Sequence, residues 1–316
     1  GDPSVLQTGD IWYNSTLGKI RGAKKPAGTW ASGGDLNRTL NQGRQIMKGA
    51  GPSTAAIAVA GYYTTVNPQA VALVETYDGS SWTEVGDVNT ARWNIGTAGT
   101  QTATLAAAGE ISGDPATVSD TEEFNGTSWT EVTNLDTDRG SGAGCGTQTA
   151  ALFIGGVANT TVSVLVEEYD GTNWTEIADI NTGRSNYASF QKGTTTAAMI
   201  ACGKTTTFVA ITETFDGSSW TEVGDANTAR NYIGGFGTAA SGLVFGGESP
   251  SLVDVVEEWD GTSWTETTDL PAATQTMGGA GTGTSGIAYG GTTAISPLAT
   301  TLEWSREVTA SSITSS

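Results

Sequence analysis

The sequence predicts an all-β protein, a six-bladed β-propeller of four-stranded antiparallel blades with an N-terminal β-hairpin beside it. Three observations predict it. An octapeptide, Tyr169-Asp170-Gly171-Thr172-Asn173-Trp174-Thr175-Glu176, recurs at 77–84, 124–131, 215–222 and 259–266, so tryptophans fall at 82, 129, 174, 220 and 264, spaced 47, 45, 46 and 44 residues apart. Repeats of that length build solenoids or propellers. The composition, with 44 Gly, 8 Pro, much Ser and Thr and no long helical period, suits many short strands and tight turns. Finally, the repeat is cut by the termini. Residues 28–37 match 80–89 with one Ser inserted before the tryptophan, and the missing beginning stands at 289–304, where the chain stops short of its Asp-Gly turn. Five whole repeats and one split repeat make six.

The elements follow in order. Residues 1–27 lie outside the repeat, and 9–21 within them read as a hairpin around an Asn-Ser-Thr-Leu-Gly turn. A lone hairpin is marginal in water, so Trp12 is expected to be buried against the body or another chain. Residues 28–304 form the propeller, and 305–316 a Ser/Thr-rich tail. In the second repeat the strands are expected at 94–98, 103–108, 120–124 and 128–132. Asn125-Gly126 and the Asp-Gly pairs at 78, 170, 216 and 260 supply the positive φ a tight hairpin needs. The aromatic before each turn and the tryptophan after it point to one face. Trp30, Trp82, Trp129, Trp174, Trp220, Trp264 and Trp304 are therefore assigned to structure, as fillers of the wedge between blades. Strand two ends in glycine in every repeat: pairs at 155, 246 and 290, single residues at 61, 109 and 203. Crowding of inner strands at the axis would favour a missing Cβ.

The diglycine, aromatic, tryptophan and following arginine together resemble the Kelch-type β-propeller repeat, over residues 28–304. That resemblance implies four-stranded blades around a channel, closed by strands from both termini. Closure removes sheet edges and an uncovered apolar face.

Charge adds a pairing rule. Arginine stands ten residues after the tryptophan at 92, 139, 184 and 230, and in the blades these open an acid stands two residues before the aromatic, at Glu122, Glu167, Glu213 and Glu257. These are expected to form bidentate, partly buried Arg–Glu pairs. Blade six has Thr274 and Leu302 instead, and blade one keeps Glu75 with Leu40 at the arginine position.

The net charge is −19, yet residues 1–48 hold seven Lys and Arg against three Asp, so the remainder is strongly acidic. Such a body repels nucleic acid and favours solubility. No run is apolar enough for membrane insertion. Gly1 opens the chain without a basic n-region or apolar h-region, as expected of a processed or excised product or one that has lost its initiator Met. Cys145 and Cys202 read as small buried residues. The sequence contains no histidine, which removes most hydrolytic triads and zinc or copper sites, including the copper centre of some Kelch-type oxidases. No cofactor is implied; calcium would lack an EF-hand-like run. Paired carboxylates for glycan cleavage are conceivable, but the acids are mostly locked in the repeat.

Function is expected on the rim whose loops vary. From the strand-two glycine to the aromatic the spacing is 16, 15, 13, 12, 12 and 13, whereas the outer hairpin and the arginine keep fixed intervals. The candidates on that rim are Tyr62, Tyr63, Asn67, Glu110, Asp114, Lys204, Phe208 and Glu248. Residues 9–21 also resemble a short hairpin of tailed-bacteriophage appendage proteins, especially marine ones. That resemblance implies a virion fibre, spike or decoration module, multimeric, held to other virion proteins by its N-terminal segment and displaying the propeller to host glycans or proteins. A secreted lectin-like propeller is the alternative, and a glycan-cleaving enzyme a third reading.

Overall fold

The computed structural model describes residues 3, 10–24, 26–37, 43–63, 69–112, 117–307 and 309–312. Every regular element among them is a strand, and none of their segments forms a helix long and apolar enough to cross a membrane. Six four-stranded antiparallel sheets stand around an axis. Blade two is typical, with Gly96–Thr100 innermost, then Ala103–Glu110, Thr117–Phe124 and Trp129–Glu131 outermost. Blade six is built from both ends of the chain: Gly278–Thr282, Ser285–Tyr289 and Thr301–Ser305 are completed by Thr29–Ser32, with Trp304 opposite Trp30.

The second blade departs from the sequence expectation at its upper end. Its inner strand begins two residues late, because Asn94 adopts a left-handed φ of 54°. Its two middle strands run on toward the rim to Glu110 and from Thr117.

The outer hairpins behave as predicted. In blade one Tyr77 faces Trp82 with ring centroids 5.0 Å apart, and the Asp78 carboxylate accepts the Ser80 and Ser81 amides, at 2.9 Å each, to close the turn. The tryptophans also stitch blades together. Trp82, Trp174 and Trp264 donate their indole N–H to Thr301, Thr121 and Thr212 of the preceding blades, while Trp129 and Trp220 donate to the Gly86 and Ala178 carbonyls. Trp30 does likewise, donating to the Thr268 carbonyl at 3.1 Å, but it is only half-buried on the outer strand of blade six, against Trp304 and Phe245. Cys145 and Cys202 are buried free thiols, both pushed up to about 12 by burial.

The strand-two glycines have a different cause from the one expected. Gly109 has φ 120° and follows Ala108 at 60°; its N–H donates to the Arg139 carbonyl, and a Cβ would come within 2.8 Å of the Trp93 carbonyl. Two successive left-handed residues thus bend strand two against the loop entering its own blade and tie it to the next. The second position requires glycine, and the first tolerates Ala60, Ala108 or Cys202.

The arginines lie deeper than expected, and their pairs are single-contact, not bidentate. Arg92 is fully buried and donates to Glu122 at 2.9 Å, with further bonds to the Asp120 and Ala108 carbonyls. The second oxygen of Glu122 accepts the backbone and side-chain N–H groups of Asn89. Arg139–Glu167, Arg184–Glu213 and Arg230–Glu257 follow at 2.6, 2.8 and 2.8 Å. Blade one has a pair as well, contrary to the fixed-offset expectation: Arg44 reaches Glu75 at 3.1 Å. Leu40 lies outside the described residues.

Beside the ring, Ile11–Asn14 and Lys19–Lys24 form the expected hairpin, and Thr309–Ser312 pairs with its second strand. The C-terminal segment is therefore a strand of this sheet rather than only a tail. Trp12, expected to be buried against the body or another chain, is half-buried within this chain. On the opposite face Ile11, Tyr13 and Ile20 are exposed.

Candidate functional site

Each blade is entered by a loop that must turn sharply down the channel, and the residue at that bend is left-handed in all six: Ile46, Asn94, Ser141, Asn186, Tyr232 and Thr276, with φ between 52° and 60°. Asparagine accepts this conformation readily, whereas Ile, Tyr and Thr are strained there. Backbone bonds between blades hold the bends. Ser141 N–H donates to Asn94 O, Asn186 N–H to Ser141 O, Thr276 N–H to Tyr232 O and Ile46 N–H to Thr276 O, at 2.8–3.1 Å. A small cavity of about 20 Å³ is lined by Ile46, Lys48, Asn94, Asn186, Tyr232 and Thr276, among others. Residues from five blades can meet in one cavity only at the axis, so this is the channel mouth.

A second ring surrounds the first. Single bridges pair Gln45 with Tyr62, Trp93 with Glu110, Gly140 with Val157, Ser185 with Lys204, Asn231 with Glu248 and Gln275 with Thr292. Four of the residues chosen from loop variability, Tyr62, Glu110, Lys204 and Glu248, thus occupy equivalent positions around one mouth. Phe208 joins them, its ring 5.8 Å from the Lys204 ammonium. Tyr63 does not: it is 4 % exposed and packs inside the rim, which corrects its assignment as a contact residue. Asn67 and Asp114 lie outside the described residues.

The richest sector is between blades one and three. Glu110 accepts hydrogen bonds from Asn94 Nδ2 at 3.0 Å and Ser141 Oγ at 2.9 Å. Its side chain lies where Gly140 leaves room, since a Cβ there would fall 2.7 Å from Glu110 Cγ. Beside it the half-buried Trp93 and Tyr62 rings meet edge to face at 5.1 Å. Trp93 was not among the sequence candidates, although the signal existed: the equivalent positions carry Gln45, Gly140, Ser185, Asn231 and Gln275, so an aromatic there breaks the repeat. Across the mouth, burial and the Glu248 and Glu110 carboxylates raise the Tyr232 phenol pKa, which keeps it a neutral donor.

On the opposite face a 170 Å³ groove between blades six and one is lined by Ser53, Ser285, Glu303 and Trp304, among others. Trp304 is only 1 % exposed and offers no ring face there. Among the described residues no group of three or more Cys, Asp or Glu converges to hold a metal ion.

The arrangement can be compared with known proteins. No protein-family model matches the chain, and no curated protein matches it in sequence. Solved structures do match in shape. One titled "Structure of YjhT" aligns over 86 % of this chain and 99 % of its own, with a TM-score of 0.70 and 12 % identity. The chain is a six-bladed β-propeller. At that identity the likeness carries the fold alone, and the split sixth blade agrees with it.

Proposed function

We propose that this protein is a non-enzymatic recognition module, a Kelch-type propeller of a virion appendage, whose channel-mouth rim binds host-surface glycan. One observation carries the reading: the residues that break the repeat gather at one mouth, where the Trp93–Tyr62 pair stands beside the Glu110 carboxylate. An aromatic ring next to a fixed acceptor suits a sugar, whose C–H face stacks while its hydroxyls donate. Outside the rim the buried Glu122, Glu167, Glu213 and Glu257 are committed to structure, each bound to an arginine. The hairpin supports the assembly part of the proposal. Ile11, Tyr13, Leu17 and Ile20 are 52–70 % exposed, an apolar surface suited to burial against other virion proteins.

A glycan array probed at low and high salt with wild type, Trp93→Ala and Tyr62→Ala tests the rim. Binding that survives salt and is lost in Trp93→Ala supports it; binding indifferent to both substitutions refutes it. Sedimentation of the native particle tests the assembly, and a chain found free and monomeric would count against the virion reading.

A further inference from the structure

The inner strands of the six blades begin at equivalent positions, Lys48, Gly96, Ala143, Ala188, Gly234 and Gly278. Five of the six are Gly or Ala. The fold therefore needs no long side chain there, and blade one places a lysine at the axis. Lys48 lines the channel-mouth cavity with Asn94, Asn186 and Tyr232. Among the described residues it has no carboxylate partner, and burial alone drives its ammonium down to about 8. Lys48 is half-buried, and an unpaired cation drawn partly out of water is a cost to the fold. The other cations near the axis differ. Arg44 is engaged by Glu75, and Lys204 sits exposed on the outer ring against Phe208.

We propose that Lys48 is an anion-binding residue that takes a carboxylate entering the channel mouth, which makes acidic sugars of the uronate class the preferred ligands. The ligand class rests on the glycan reading of the rim; the anion site does not. Three features fit a carboxylate. The cavity, about 20 Å³, admits a small terminal group and not a whole ring. Tyr232 and Asn186 lie around it as neutral groups able to donate to an oxyanion. Glu110 and Glu248 act on Tyr232 from the rim, and their field opposes a doubly charged phosphate more strongly than a singly charged carboxylate, which leaves Lys48 able to hold only the latter. The sugar ring would then rest on the rim near Trp93 and Glu110 with its acid group pointing down the axis.

The test is NMR of the full chain labelled with ¹³C at lysine Cε, the Lys48 resonance being assigned by its loss in Lys48→Met. The probes are sodium glucuronate, glucose and sodium acetate. Glucuronate is expected to shift that resonance, raise the Lys48 pKa and bind about tenfold more tightly than glucose, the gain of one charge-assisted contact. Lys48→Met should remove the preference and Lys48→Arg restore part of it. Lys48→Met should melt no lower than wild type, because the other blades carry Gly or Ala there. Equal affinity for glucuronate and glucose, or an unchanged preference in Lys48→Met, would overturn the anion site. Neutral-sugar binding that depends on Trp93 would still leave the rim reading standing. Acetate shifting Lys48 while neither sugar binds would support the anion site and overturn the uronate class together with the glycan reading.

Discussion

Replacing Arg92 by Met tests the energetic logic of the ring most directly. Arg92 and Glu122 are both fully buried and 2.9 Å apart. Burial lowers the Arg92 pKa and the Glu122 charge opposes that, so the ion survives only through its partner. Arg92 also donates to the Asp120 carbonyl at 2.5 Å and the Ala108 carbonyl at 3.0 Å. Met keeps the apolar stem and removes the charge. The Glu122 carboxylate then remains buried with the Asn89 donors, at 2.7 and 2.8 Å, and the Thr90 amide at 3.4 Å, and no cation. Stranding one member of a buried pair costs about 3–5 kcal/mol. At roughly 2 °C per kcal/mol for a chain of this size, the melting temperature should fall by about 6–10 °C. Glu122→Leu alone should cost a similar amount. The double variant removes both charges and orphans only neutral groups, worth about 1–3 kcal/mol, so it should be more stable than either single. Urea unfolding followed by tryptophan fluorescence measures all three. A loss below about 1 kcal/mol for Arg92→Met, or a double variant as damaged as the sum of the singles, would refute the argument.

Other outcomes follow from the same geometry. Trp174→Ala, which removes a 6 % exposed ring and its bond to Thr121, should cost about 3–5 kcal/mol in the same assay, whereas the rim substitution Trp93→Ala should cost far less. Deleting residues 1–34 removes Thr29–Ser32 and uncovers the edge of Thr301–Ser305; the product should aggregate, and an unchanged melting temperature would defeat closure by the terminal strand. The Lys48 pKa is lowered on folding, so between about pH 8 and its ordinary value of 10.5 the unfolded chain binds more protons, and that residue's contribution to stability rises with pH. Calorimetry of wild type against Lys48→Met from pH 7 to 10 should show their gap narrowing in favour of wild type as pH rises. Cys145 and Cys202 should resist a thiol reagent at pH 8 until denaturant is added, since both thiols are buried and their acidity is suppressed.

Most of the fold was legible because the repeat records constraints that act in each of its five complete copies. The Asp-Gly turn, the stacked aromatic and tryptophan, and the buried pair are each local in sequence and indifferent to blade number, so counting intervals recovers them. Counting fails where the interval changes. Arg44 lies fourteen residues after Trp30 instead of ten, and a fixed offset lands on Leu40. The better signal was chemical: Glu75 is buried and needs a cation, which any arginine in the entering loop could supply. The tail was misread for another reason. Thr309–Ser312 has no apolar alternation and is a strand because the edge of Lys19–Lys24 is there to pair with. Pairing of that kind depends on tertiary structure and leaves little trace in a four-residue segment.

The candidate site was legible only in outline, and the reason bears on how a propeller acquires function. Loop variability pointed to this rim, because loops there close no blade. It did not point to Trp93, which sits in a segment of constant length, or to Lys48, which follows an entering segment four residues longer than the others. At both positions the backbone is fixed by the ring of left-handed bends, with Ile46 and Asn94 each just beside one of the two residues. A site whose backbone is held by contacts between blades can change its side chain without changing the fold. The Cβ at such a position is then free to carry chemistry, and the equivalent residues supply the reference: Gln, Gly, Ser and Asn opposite Trp93, and Gly or Ala opposite Lys48. Recognition in this protein is therefore expected where side-chain identity departs from the repeat while backbone geometry keeps to it. That criterion selects Trp93 and Lys48, both of which adjoin the same mouth as Glu110.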